Sequence, residues 1–257
     1  MLHFDKFDAW VTIDGQETVE YGVETAADEK KVTCWIASQL GKTFAVHVRS
    51  TAHPGVIAVY TRMDGKEVVG RVLYCGLQTP STVSIDGALG ENDTRPFMFS
   101  SLELSDDDRL LGQSSVSQDL GRIDVQLVPV LIASRSAPPQ SYPSLETLKI
   151  HERSKKAVTQ QVSLGQSTAL PSPCRFAAVQ RLGADLVNFS FRYRPLDVLR
   201  ANDIAPPAAR PPFPPAREVK PLRDTNSVEV KAEKKMKVKR GAGDVIDLTV
   251  DDAPPRK

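Results

Sequence analysis

The 257-residue sequence predicts a mainly β chain, with one antiparallel, β-sandwich-like domain over about residues 1–200 and a disordered C-terminal arm over 201–257. Three observations predict it. Through the first 200 positions, apolar and polar residues alternate with a period of two in successive short runs, the spacing of half-buried strands. The two-residue turn signals Asp14-Gly15 and Asp64-Gly65 stand between pairs of these runs. Beyond Asp203 the composition changes: nine of the 19 prolines lie there and Phe213 is the only aromatic residue. Such a stretch cannot offset its ordering entropy by burial.

Taken in order, Phe7 to Ile13 is β-rich, and Asp14-Gly15 leads directly into Glu17 to Tyr21, a first hairpin. Lys31 to Ser38, with Val32, Cys34 and Ile36 alternating, and Thr43 to Arg49, with Phe44, Val46 and Val48 alternating, are expected to pair across a turn at Gly41. Val56 to Met63 and Glu67 to Cys75 bracket Asp64-Gly65 as a third hairpin. Gln78 to Arg95, rich in Ser, Thr, Gly and Asp, reads as a loop with a short strand at Thr82 to Ile85. Phe97 to Leu104 resumes a strand pattern, which Asp106, Asp107 and Asp108 break. Ile123 to Ala133, the most apolar stretch of the chain, is expected as a central strand in which Pro129 marks a bulge or an edge. Ser134 to Ser144 reads as a surface excursion and Glu152 to Val158 as a short helix. Cys174 to Leu182 and Leu186 to Arg194 are closing strands.

Charge and composition exclude several classes of function. From Asn202 onward there are 12 basic and 9 acidic residues, which leaves 21 against 23 in the body. A near-neutral body argues against a broad nucleic-acid face, so nucleic acid is expected only as a weak partner. Cys34, Cys75 and Cys174 are odd in number and far apart, as in an intracellular protein with reduced thiols. The N-terminus, with His3, Asp5, Lys6 and Asp8, has no signal-peptide h-region, and no apolar run approaches membrane-spanning length.

His3, His47, His53 and His151 show no metal-ligand spacing with one another or with the cysteines. There is no Gly-x-Ser-x-Gly and no phosphate-cradling glycine loop. The expectation is a non-enzymatic protein without metal or cofactor. The alternative is an enzyme whose site only the fold assembles, marked by a pocket that gathers His47 or His151 with carboxylates. Asp106 to Asp108 are the residues a hard cation would take, but without the Gly and distal Glu of an EF-hand loop; a turn or a helix N-terminus accounts for them. His151-Glu152-Arg153-Ser154-Lys155-Lys156 reads either as a basic rim for an acidic partner or as the solvated first turn of a short helix.

The order of motifs in the body resembles a fungal family, domain of unknown function 7918. The resemblance spans roughly Phe7 to Tyr193. Phe7-Asp8-Ala9-Trp10-Val11, Cys34-Trp35-Ile36, Phe99-Ser100-Ser101-Leu102 and Asp106-Asp107-Asp108 carry it, with Leu120-Gly121-Arg122-Ile123 and His151-Glu152-Arg153-Ser154-Lys155-Lys156-Ala157. It implies a single β-rich domain and assigns no catalytic residue.

The arm holds the clearest signals. Pro206 to Arg217 is expected to be an extended polyproline spacer, in which Pro212, Pro215 and Arg217 also match a ligand for a proline-groove domain. Lys234, Lys235, Lys237, Lys239 and Arg240 form a compact basic run of the kind a nuclear import carrier reads in extended form, so a nuclear location is expected. The same run would serve the alternative reading, a nucleic-acid-associated nuclear factor. Val230-Lys231-Ala232-Glu233 resembles a SUMO-conjugation site with Lys231 as acceptor.

Val245, Ile246 and Leu248 surround Asp247, with Asp244, Asp251 and Asp252 flanking, and the segment resembles a SUMO-interacting motif. A β-prone apolar patch fenced by carboxylates suits strand addition to a partner's sheet edge, where the main chain gives affinity and alternate side chains give specificity. The expected function is noncovalent recognition of SUMO or a sumoylated protein through this segment.

Overall fold

The computed structural model describes residues 1–76, 79–106, 119–138, 145, 149–151 and 158–207. The chain divides into two units, Met1–Ala209 and Arg210–Lys257, and every described residue belongs to the first.

β1 (Leu2–Phe4) pairs antiparallel with β2 (Phe7–Ile13), and the Asp14-Gly15 turn returns β3 (Gln16–Glu17) onto the end of β2. Asp14 and Gly15 both have positive φ, 47° and 79°, the twist that a two-residue hairpin turn requires. β4 (Glu20–Ala26) leaves for a second sheet and pairs there with β5 (Lys31–Ser38), whereas β6 (Thr43–Ser50) returns to the first and pairs along the whole of β2. β7 (Gly55–Met63) and β8 (Lys66–Cys75) form a hairpin in the second sheet. β9 (Ser81–Ile85) and β11 (Asp93–Ser101) flank β6 in the first, and β10 (Gly87–Leu89) pairs with β11.

β12 (Glu103–Ser105) precedes the longest strand, β13 (Arg122–Ala137), and pairs in parallel with β14 (Lys149–His151). β15 (Gln160–Leu164) and β16 (Thr168–Ala169) add to β11. β17 (Phe176–Arg181) and β18 (Val187–Pro195) both run antiparallel to β13, and the helix α1 (Leu196–Ala201) follows. The second sheet has the order β4-β5-β18-β13-β7-β8, in which β5 and β18 are parallel and the other neighbours antiparallel.

Strict alternation along the strands puts one face of each sheet inward. Phe7, Ala9, Val11 and Ile13 of β2 and Phe44, Val46 and Val48 of β6 share one buried cluster with Val32 and Ile36 of β5, Ile57 and Val59 of β7, and Phe189 and Phe191 of β18. β-Branched residues dominate these positions because they pack well on a pleated, half-buried surface. Phe44 stacks on Phe99 with ring centroids 4.5 Å apart, and Phe99 meets Tyr193 of the opposite sheet at 5.0 Å, so the aromatic column crosses the sandwich. The fold is mainly β, as the periodicity predicts; its sheets are antiparallel but for the parallel pairs β5–β18 and β12–β14.

Three expectations need correction. β5 and β6 do not pair across Gly41; that residue, at φ 75°, turns the chain from one sheet into the other. Each strand has a single apolar face, and stacking those faces buries them as well as side-by-side pairing would, so alternation alone leaves the two arrangements open. Across the Asp14-Gly15 turn, only Gln16–Glu17 pairs back onto Phe7–Ile13, because the chain from Glu20 crosses to β5. Ser134 to Ala137 continue β13, where the sequence reads as a surface excursion. Pro129 sits where the neighbour on one side of β13 changes from β18 to β17, and its carbonyl accepts the N–H of Leu182 at 2.9 Å. Residues 152–157, the core of the expected short helix, lie outside the described residues.

Candidate functional site

A deeply buried polar cluster is built on Asp64, the first residue of the β7–β8 turn. Its left-handed backbone (φ 52°) folds the carboxylate back under the turn. There Oδ1 accepts from Gly121 N–H at 2.7 Å and Oδ2 from Val162 N–H at 2.7 Å, while the Tyr193 hydroxyl donates to both oxygens at 2.7 and 2.9 Å. Val162 belongs to the first sheet and the other groups to the second, so one carboxylate ties the two layers together. Burial pushes the Asp64 carboxyl up despite these donors, and burial with the Asp64 charge pushes Tyr193 far above its ordinary value. With its polar atoms engaged inside the core, the cluster is a structural pin. Gly121 is required there: its φ is 79°, and a Cβ would overlap the Arg194 guanidinium that donates to the Gly121 carbonyl.

On the outer face of the first sheet, His47 stacks on Trp10 with ring centroids 5.1 Å apart. Its Nε2 lies 2.9 Å from the Thr12 hydroxyl and its Nδ1 2.8 Å from the Ser84 hydroxyl. Burial holds the imidazole below its ordinary pKa, and both ring nitrogens are engaged by hydroxyls instead of by a carboxylate. A hydroxyl, an imidazole and a second hydroxyl in a row position the ring without the third group that activates a nucleophile. Near it, Asp8 accepts from His3 at 2.7 Å and from Arg49 at 2.7 and 2.8 Å. Burial raises the Asp8 carboxyl, and these two partners outweigh it and hold the group below the usual carboxylate range. Among the described residues, no group of three His, Cys, Asp or Glu side chains is placed to hold a metal ion.

A groove of about 700 Å³ lies along β8 and is walled on its other side by β17 and the end of β13. Two irregularities in the β13–β17 pairing, between Ile132 and Ser134 and between Ser134 and Ala137, bend this ribbon, and Val179 packs against the cluster of Ala58, Val128 and Val130 outside the main core. Tyr60, Val72, Tyr74 and Phe176 supply apolar lining, and Glu67, Arg71 and Arg175 the charged groups. An adjoining hollow of about 310 Å³ shares Arg175 and adds Arg135 and Glu91. His47 lines neither space. Nothing in the sequence points to this groove, because Arg71 and Arg175 are about a hundred positions apart and each stands singly.

Of the residues singled out from sequence, Lys231, the basic run Lys234, Lys235, Lys237, Lys239 and Arg240, and the motif Val245, Ile246, Asp247, Leu248, Asp251 and Asp252 lie outside the described residues. So do Asp107 and Asp108 of the acidic triplet and Glu152 to Lys156 of the polar run; His151 ends β14. Among the described residues, no helix is long and apolar enough to cross a membrane.

Of the motifs that carry the family resemblance, Leu120-Gly121-Arg122-Ile123 meets the buried cluster: Gly121 supplies an N–H to Asp64 and Arg122 begins β13. Searches of the curated proteins and of the solved structures return no match to the chain. Residues 6–208, the whole of the described sandwich but for its first strand, match the profile described as Domain of unknown function (DUF7918), and the chain belongs to that family.

Proposed function

We propose that the protein is a non-enzymatic nuclear interaction module that binds SUMO, or a sumoylated protein, by adding Val245 to Leu248 as a strand to the modifier's sheet. The observation that carries the reading is the pattern itself: Val245, Ile246 and Leu248 around Asp247, fenced by Asp244, Asp251 and Asp252. The aliphatics would enter a groove while the carboxylates face basic residues on the partner. Covering three aliphatic side chains contributes about 5 to 9 kcal/mol before ordering costs. A reversible complex on the order of micromolar affinity follows once those costs are subtracted.

Lys231 is the proposed acceptor for conjugation. The run from Lys231 to Val245 has a root-mean-square reach of about 20 Å if flexible, which gives an effective concentration on the order of millimolar for an encounter between bound SUMO and the acceptor. The basic run Lys234 to Arg240 is proposed to deliver the protein to the nucleus.

Titration of isotope-labelled full-length protein with purified SUMO tests the assignment. Shift changes confined to Asp244 to Asp252, and lost in the double variant Ile246→Ala, Leu248→Ala, are expected. Unchanged spectra at millimolar SUMO would remove the reading. Binding that disappears when Lys234 to Arg240 is neutralised but survives loss of Ile246 and Leu248 would transfer it to nucleic-acid association.

A further inference from the structure

The geometry points to a second recognition site, in the body: the groove between β8 and β17 takes an extended peptide that alternates apolar and acidic residues and adds to the free edge of β8. Three observations lead there.

β8 pairs on one side only, with β7 from Gly55↔Cys75 to Met63↔Lys66; among the described residues no strand is hydrogen-bonded to its other edge. Alternate main-chain N–H and C=O groups of an edge strand point away from its partner and are open to pairing. The groove-lining residues of β8 run from Glu67 to Tyr74. At about 3.3 Å per residue this is about 25 Å of strand, enough for six to eight residues of a ligand.

Three arginines stand around the groove without a hydrogen-bonded or ion-paired side-chain partner among the described residues. Arg49, Arg122 and Arg181, by contrast, are paired with carboxylates: Arg49 with Asp8, Arg122 with Asp119 and Asp124, Arg181 with Asp185. No side-chain hydrogen bond or ion pair holds Arg71, Arg135 or Arg175 among the described residues. Arg71 is half-buried, and its desolvation is only partly compensated by the field of Asp86. A guanidinium in that position is poised for a carboxylate, which it can hold through two parallel hydrogen bonds. Among the described residues, Glu67 and Glu91 are the carboxylates that line the two spaces, against three guanidiniums.

The alternation of the ligand follows from β8 itself. Gly70, Val72 and Tyr74 project to one side of the strand and Arg71 to the other. Gly70 lies opposite Tyr60, and a Cβ there would sit 3.3 Å from the Tyr60 ring, so the missing side chain leaves that ring uncovered toward the groove. A strand laid beside β8 shares its two faces: one set of ligand side chains meets Tyr60, Val72 and Tyr74, and the intervening set meets Arg71. Apolar residues suit the first face and carboxylates the second. A small anion would satisfy the arginines and leave the apolar lining and the strand edge unused.

The test uses the full-length protein and a fluorescein-labelled heptapeptide of alternating glutamate and valine, followed by anisotropy. Saturable binding is expected, with alkylation of the groove-lining Cys174 slowed at saturation. The double variant Arg71→Gln, Arg175→Gln should weaken binding at least tenfold at unchanged melting temperature, and Arg71→Lys, which keeps the charge, should weaken it less. N-methylation of alternate peptide amides should abolish binding in one phase and spare it in the other, because only one set of amides faces β8. The proposal is overturned by absence of saturable binding, by equal binding of a lysine–valine heptapeptide, or by affinity that the arginine variants leave unchanged. Equal sensitivity to both N-methylation phases, or competition by free succinate at the peptide's own concentration, would also overturn it.

Discussion

The Tyr193 hydroxyl lies 2.7 Å from one carboxylate oxygen of Asp64 and 2.9 Å from the other, and it joins a turn residue to a strand 129 positions later in the chain. With the N–H groups of Gly121 and Val162 on the same carboxylate, it makes Asp64 the meeting point of β7, β13, β15 and β18. Removing one member leaves buried groups unsatisfied, which costs about 1–3 kcal/mol for a neutral partner. Tyr193→Phe is therefore expected to lower the melting temperature by about 2–4 °C for each kcal/mol lost. Asp64→Asn should cost more, because an amide NH₂ would replace an acceptor and face a backbone N–H. Calorimetry of the two single variants and the double variant measures the coupling; strict additivity would contradict a shared cluster.

Gly121→Ala combines a disfavoured positive φ with overlap of the Arg194 guanidinium. A loss of about 1–3 kcal/mol is expected from strain and displacement together. Urea denaturation of this variant beside Gly183→Ala, where a Cβ meets nothing within 4 Å, supplies the check.

Two buried carboxyls have opposite pH signatures. The folded value of Asp64 is raised, so between the ordinary carboxylate value and that raised value the folded chain binds more protons than the unfolded, and stability falls as pH rises through the window. The folded value of Asp8 is lowered by His3 and Arg49, so its contribution is present above the ordinary value of about 4 and is lost as pH falls through the folded one. The stability gap between wild type and Asp8→Asn should accordingly be widest near neutrality and close on acidification. Denaturant midpoints measured from pH 7 down to pH 3 show whether it does.

Thiol reactivity should follow burial. Cys34 is buried in the core, which pushes its thiol far up, and burial also raises Cys75, whereas Cys174 lines the groove half-exposed. In native protein, iodoacetamide should modify Cys174 first and Cys34 only on unfolding, as read by peptide mass spectrometry.

For the arm, replacing Lys234, Lys235, Lys237, Lys239 and Arg240 by glutamine should abolish nuclear accumulation of a fluorescent fusion without changing the body's melting temperature. Lys231→Arg should remove SUMO conjugation in a reconstituted reaction. Retained nuclear signal or retained conjugation would dismiss the respective site.

Strands were legible wherever one face is buried: Lys31 to Ser38 coincides with β5, and the Asp64-Gly65 turn lies between β7 and β8 as its residue types imply. Partners were less legible. Val32, Cys34 and Ile36 would suit any neighbour with a matching face, and the neighbour that β5 finds in parallel is β18, more than 150 positions away. The Asp-Gly signal announces a turn and conceals that the aspartate's carboxylate pins the core, since a buried and an exposed turn aspartate look alike in sequence. Groove residues such as Arg71 and Arg175 acquire meaning only when β17 is brought beside β8.

The parallel ladder between β5 and β18 also dictates when the molecule can exist during synthesis. Lys31 to Ser38 are made well before their central neighbour, Val187 to Pro195, which is among the last parts of the body to be made. Until then the nascent chain must hold β5 with one edge bare, and Asp64 waits for its phenol. Any C-terminal trimming that reaches Tyr193 should abolish folding outright, and a premature stop codon in that stretch should produce a chain fit only for degradation.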